Sequence, residues 1–187
     1  MIDCPVRQPA AAPARNARPA GVLALMLTIL LVAGCAATPR LPESTEQSLP
    51  RQLLLDEVPF HAQRDYQCGP ASLAMVLNDG GIDVDVDTLI PQVFLPGRDG
   101  SVQPEMLATV RRHGRIPFLI DGRLDALLLE LAAGHPTVVM QNLALPAWPM
   151  WHYAVAIGFD LDRDELILHS GEEPRRIESF RRFDATW

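Results

Sequence analysis

The chain has 187 residues, 23 of them acidic and 16 basic, for a net charge of −7 at pH 7. The basic residues are all arginine and form no patch that would mark a nucleic-acid surface, so no nucleic-acid partner is expected. Three cysteines, Cys4, Cys35 and Cys68, are too few and too scattered for a disulfide framework or a metal-ligand cluster, and neither a metal nor a cofactor is expected.

The first 35 residues read as a leader. Arg7, Arg15 and Arg18 precede an apolar run from Val22 to Ala33. That run is shorter than the roughly 20 residues a membrane span needs and suits the core of a signal peptide. It ends in Leu31-Val32-Ala33-Gly34-Cys35, which resembles a bacterial lipobox. The resemblance implies that residues 1–35 carry an export signal, that Cys35 takes lipid and becomes the mature N-terminus, and that Cys4 is discarded. Ala36, where an Asp would mark retention at the inner membrane, implies an outer-membrane address facing the periplasm. Residues 36–52 are polar, contain proline and lack periodicity, as a tether from membrane to domain would. Residues 53–187 remain for one domain, roughly 130–140 residues and enough for a single core.

Within the domain, Leu53–Leu55 and Val58–Phe60 form an extended lead-in to a polar loop, Gln63 to Gln67. The pattern then turns into a helix beginning at Cys68-Gly69-Pro70, apolar on nearly every face and stopped by Gly80-Gly81. Pro70 suits a first helical turn, where its missing N–H would have no partner. Asp83 to Asp87 alternates charged and apolar residues. Asp85 or Asp87 is placed to cap a short helix through Thr88, Leu89 and Ile90, and the spacing lacks the Gly and terminal Glu of a calcium loop. Pro96–Gly100 is a turn. Ser101 is expected to cap the next helix, which carries Pro104 and Glu105 in its first turn, Met106, Leu107 and Val110 as its stripe, and ends at Gly114. Ile116–Ile120 reads as a strand and Arg123–Ala133 as a third helix closed by Gly134. Strands follow at Thr137–Met140, Trp151–Phe159, Glu165–His169 and Arg175–Phe180, with a proline-rich loop at Leu143–Met150 and a turn at Asp160–Asp164. Helices first and a mostly antiparallel sheet afterwards make an α+β fold.

Cys68 stands at the start of a buried helix, where unpaired N–H groups favour negative charge, and the thiolate is the nucleophilic form of cysteine. Such a nucleophile needs a base and a site for the oxyanion. Of five histidines, His61, His113 and His135 occupy ordinary surface positions. His152 instead opens the apolar strand Trp151-His152-Tyr153-Ala154-Val155-Ala156-Ile157-Gly158, and alternation puts it beside Ala154 and Ala156, which leaves room for a partner.

Taken together, Gln63, the run Gln67 to Leu77 and the run Trp151 to Gly158 resemble the bacteriocin-processing (double-glycine leader) cysteine peptidase family. The resemblance runs from about Val58 to the C-terminus and is nearest to the stand-alone lipoprotein members, some of which continue into tetratricopeptide repeats. It implies a papain-like fold, Cys68 as nucleophile, His152 as general base, and Gln63 as donor to the oxyanion beside the Cys68 backbone N–H. The family sets an Asp beside a Pro downstream of the histidine to orient the imidazole. Here that region reads Leu168-His169-Ser170-Gly171-Glu172-Glu173-Pro174, so His169 or Ser170 falls at the expected position. His169 is the candidate third member, with Glu172, Glu173, Asp160 and Asn142 as substitutes. The chain stops at Phe183–Trp187 without a closing strand or repeat domain, as a fragment or a short family member would. The expected function is a lipid-anchored envelope cysteine peptidase acting on a peptide or protein substrate, with a tetratricopeptide or export-machinery partner. The alternative is a catalytically weak peptide-binding module on the same fold. Trp148, Trp151 and Tyr153 are expected either to line the substrate groove or to pack in the core.

Overall fold

A computed structural model describes residues 38–63 and 67–187. The expected leader, with the lipobox read at Cys35, and the loop positions 64–66 lie outside the described residues. The chain runs through α1 (Glu43–Ser48), β1 (Gln52–Leu54), α2 (Cys68–Asp79), α3 (Val86–Val93), β2 (Phe94–Leu95), β3 (Gly100–Ser101), α4 (Gln103–Arg112), α5 (Leu124–Ala132), β4 (Thr137–Asn142), β5 (Trp151–Asp160), β6 (Glu165–Ser170), β7 (Glu173–Ser179) and α6 (Phe180–Thr186). None of the described helices is long and apolar enough to cross a membrane.

The sheet is built on β5. Its first half pairs antiparallel with β4, from Thr137 opposite Ala156 to Asn142 opposite Trp151. Its second half pairs on the same edge with β1, where Leu54 faces Gly158. The other edge carries β6 and then β7, again antiparallel. Alternation sends Tyr153, Val155 and Ile157 to one side, among the residues of α2. Ala154 and Ala156 go to the other, against Leu124, Leu127 and Leu128 of α5 and Phe180 and Phe183 of α6. A bulge between Ala156 and Gly158 resets the count, so Phe159 joins the second layer although it would otherwise face α2.

α2 is buried from Gly69 to Met75, which is why its sequence is apolar all round. It ends in a Schellman-type turn. Gly81 adopts a left-handed φ of 81°, and Ile82 N–H reaches Leu77 O at 2.9 Å. Asp85 caps α3, its carboxylate accepting from Thr88 N–H at 2.6 Å.

Four expectations change. The tether begins to fold before residue 53: α1 lies within residues 36–52, Leu49 is buried and Leu41 packs on the core, because these leucines can reach the apolar layer of α5 and α6. Ser101 does not cap α4. It pairs with Phe94 in a two-stranded ribbon, and Val102 precedes the helix without a side-chain cap. Residues Ile116–Ile120 form no strand. Pro117 lacks the N–H a ladder needs, and Ile116, Phe118 and Leu119 are exposed. The last strand stops at Ser179, whose side chain accepts from Arg182 N–H and starts α6.

Candidate active site

Cys68 is the first residue of α2. Gln67 offers no side-chain cap, and the first intrahelical bond runs from Ala71 N–H to Gln67 O at 2.9 Å. Because Pro70 has no N–H, the donors at this helix start are those of Cys68 and Gly69. The thiol is free and half-buried, and packs on the cluster that contains Tyr153, Leu73 and Met106.

Gln63 ties three elements together at this end of the sheet. It is 6% exposed. Its Nε2 donates to Ser72 Oγ of α2 at 3.1 Å and to Tyr153 O of β5 at 3.2 Å. Its Oε1 accepts from Gly171 N–H at 2.9 Å, and its backbone N–H donates to Gly171 O at 2.8 Å. A backbone N–H on one side and a backbone carbonyl on the other fix which way the amide points. Both amide hydrogens are therefore engaged inside the fold. The side chain brings together the helix of Cys68, the strand of His152 and the turn after Ser170.

His152 Nε2 lies 3.0 Å from Ser170 Oγ, and Nδ1 has no hydrogen-bond partner among the described residues. The imidazole is held below its ordinary pKa, first by burial and second by the charge of Arg176. It is thus the neutral, proton-accepting form near neutral pH. Among the described residues Cys68 and His152 share no hydrogen bond.

His169 does not orient His152, which corrects the expected third position. It is 4% exposed. Its Nδ1 accepts from Arg175 N–H and its Nε2 meets Val58 O, both at 3.2 Å. Register is the reason. Val155 lies opposite His169, so His169 shares the face of Val155, while Ser170 shares the face of Ala154 and His152. The other substitutes are elsewhere: Asn142 Oδ1 accepts from Ala144 and Met150 N–H, Asp160 Oδ1 accepts from Asp162 and Arg163 N–H in the turn, and Glu172 and Glu173 are exposed. Of the aromatic residues near the site, Trp148 and Trp151 are exposed and Tyr153 is buried. A cleft of about 340 Å³ bordered by Thr38, Leu41, Leu161 and Phe180 lies at the far end of β5 and shares no residue with this site.

None of the curated proteins matches the chain. Among solved structures it is similar to a C39-like peptidase from Bacillus anthracis, at 18% identity and a TM-score of 0.59, over 74% of this chain and 92% of the other. It is also similar to a double glycine motif protease from an AMS/PCAT transporter, solved in complex with the leader peptide (21% identity, TM-score 0.53, 73% and 91% coverage). A third likeness is to xylellain, a cysteine protease from Xylella fastidiosa (11% identity, TM-score 0.52, 79% and 86% coverage). These likenesses show an α+β papain-like fold of the C39 type, helices with an antiparallel sheet. The model of the Peptidase C39-like family matches residues 55–187, and the chain belongs to that family.

Proposed function

We infer that the protein is a cysteine peptidase. Cys68 attacks a peptide carbonyl and His152 accepts the thiol proton on Nδ1. Ser170 accepts from Nε2–H and holds the ring in that tautomer. The observation that supports this most is the Gln63 hub, which joins the start of α2, the start of β5 and the β6–β7 turn. A relative in this fold holds a leader peptide, which supports a peptide as the substrate here. A lipobox ending at Cys35 supports a lipid-anchored envelope protein of the outer membrane facing the periplasm, among the stand-alone lipoprotein members of the family. A tetratricopeptide or export-machinery partner accords with that placement.

Cys68→Ala is expected to lower turnover of a quenched-fluorescence peptide library by on the order of 10³-fold or more and to leave the circular dichroism unchanged. Turnover retained in this variant would remove Cys68 from the mechanism. One observation favours the second reading, a peptide-binding module of weak activity: the orienting group on His152 is a neutral hydroxyl where the family uses a carboxylate. That reading takes over if wild type binds library peptides but cleaves none.

A further inference from the structure

The run Ile116–Ile120 has the composition of a strand but forms none, and three large apolar side chains are left in solvent. Ile116 is 77% exposed, Phe118 82% and Leu119 65%. The segment is pinned at both ends. Gly114 closes α4 with a left-handed φ of 72°, and Arg115 N–H reaches back to Val110 O at 3.1 Å. At the other end Ile120 packs on the core layer of α5 and α6. Between them Pro117 removes one backbone donor and fixes one φ. An exposed apolar group of this kind marks contact with a partner or a membrane.

Arg111, Arg112 and Arg115 immediately precede the run, and no acidic residue lies between Glu105 and Asp121. All three arginines are exposed. Arg112 donates to Gln92 O at 3.1 Å and Arg115 to Gly80 O, bonds that orient each guanidinium without neutralising it. Neither Asp79, next to Gly80, nor any other carboxylate pairs with these three among the described residues, whereas Arg51, Arg123, Arg163, Arg175 and Arg182 each have one. Arg111 and Arg112 suit the negative end of α4, but that accounts for neither Arg115 nor the apolar run. In a chain of net charge −7, a cationic cluster adjoining exposed Ile, Phe and Leu has the chemistry of an interfacial segment: arginines meet lipid phosphates while apolar side chains enter the acyl boundary. The other exposed apolar run, Leu143 to Trp151, carries no charge and leads directly into His152, which makes it the better place for a peptide.

We propose that residues 111–120 are a membrane-docking segment that seats the domain on a bilayer containing anionic lipid. Arg111, Arg112 and Arg115 engage the phosphates, and Ile116, Phe118 and Leu119 enter the interface. This docking requires neither the chemistry of Cys68 nor the lipobox. A lipid at Cys35 would keep the chain at the bilayer; residues 111–120 decide which surface of the domain lies on it.

The test is hydrogen exchange, read by mass spectrometry, on the full chain reconstituted with vesicles of phosphatidylcholine alone or of equal parts phosphatidylcholine and phosphatidylglycerol. Reconstitution keeps every sample at a bilayer, so only the local contact differs. The amides of residues 115–120 are expected to exchange about 10-fold or more slowly on the anionic vesicles, with residues 143–151 unchanged. In Arg111→Gln, which removes one charge and no hydrogen bond among the described residues, the slowing is about 5-fold smaller. The double variant Ile116→Ser/Phe118→Ser loses it altogether and keeps the wild-type circular dichroism, because both side chains are exposed. Equal exchange over residues 115–120 on the two kinds of vesicle overturns the proposal, and so does slowing that survives the double variant. Slowing by an added acidic amphipathic peptide in detergent, with none on vesicles, assigns the arginines to a peptide partner and overturns it as well. Peptide turnover plays no part in the readout, so a failure of the peptidase reading leaves this result standing.

Discussion

His169 shows how far one side chain's role depends on parity. The ring is sealed between Val58 O and Arg175 N–H and tilts on Phe60 at 5.2 Å between ring centres. Burial holds its pKa below the ordinary value and outweighs the bond to Val58, with the charge of Arg175 acting in the same direction as burial. A histidine depressed in the folded state binds its proton more readily in the unfolded chain. Its stabilising contribution is therefore complete above the unfolded pKa of about 6.5 and is lost as pH falls toward the folded value. The urea midpoint is expected to fall between about pH 7.5 and pH 5.5, and to fall less in His169→Gln. An equal slope in the variant would show that His169 is not the titrating group; His152, depressed for similar reasons, would then be examined. Much of this site is legible in the sequence. Cys68 and His152 stand out because a thiol at a helix start and an imidazole in an apolar strand each need a reason. The choice of Ser170 over its neighbour His169 is not legible, since it follows from which residue of β6 lies opposite Val155.

At the scale of elements, β5 serves several neighbours along its length, and Gly158 marks where β1 crowds in. A Cβ at that position would collide with Leu53 O and the Leu54 Cα. Gly158→Ala is expected to cost about 1–3 kcal/mol of stability, read from denaturant unfolding, with faster hydrogen exchange at Leu55 N–H, which bonds to Ile157 O. Wild-type stability in this variant would show that β1 can shift aside freely. Helices α2, α3 and α5 and strands β4 to β6 follow their sequence patterns, because caps, glycine stops and apolar alternation act within a few residues. Ile116–Ile120 departs from its pattern because an apolar run becomes a strand only where an edge accepts it, and Pro117 weakens its claim to one. The β2–β3 ribbon is too short to show any alternation in sequence.

At the scale of the whole molecule, Thr38–Trp187 forms one compact unit, and its N-terminal residues belong to the core through Leu41 and Leu49. The lipid anchor proposed for the envelope form would then attach only a few residues before the folded domain. Cys35→Ser is expected to leave a full-length precursor that carries no lipid, seen as a mass larger than the mature form and as loss of radiolabelled palmitate. Normal maturation of this variant would rule out the lipobox.

The sequence by itself determined the fold class, the nucleophile and base to look for, and the family resemblance, because each depends on residues close together in the chain: a Cys-Gly-Pro helix start, a His-Tyr strand start, helices preceding hairpins. Tertiary structure alone decided what those residues meet. It spent both amide hydrogens of Gln63 on α2 and β5, set Ser170 rather than His169 against His152, and left the Tyr153 hydroxyl buried without a partner. The physical reason is register. In a sheet of period two, a shift of one residue moves every side chain to the opposite face, and bulges such as the one between Ala156 and Gly158 are set by packing across the layers.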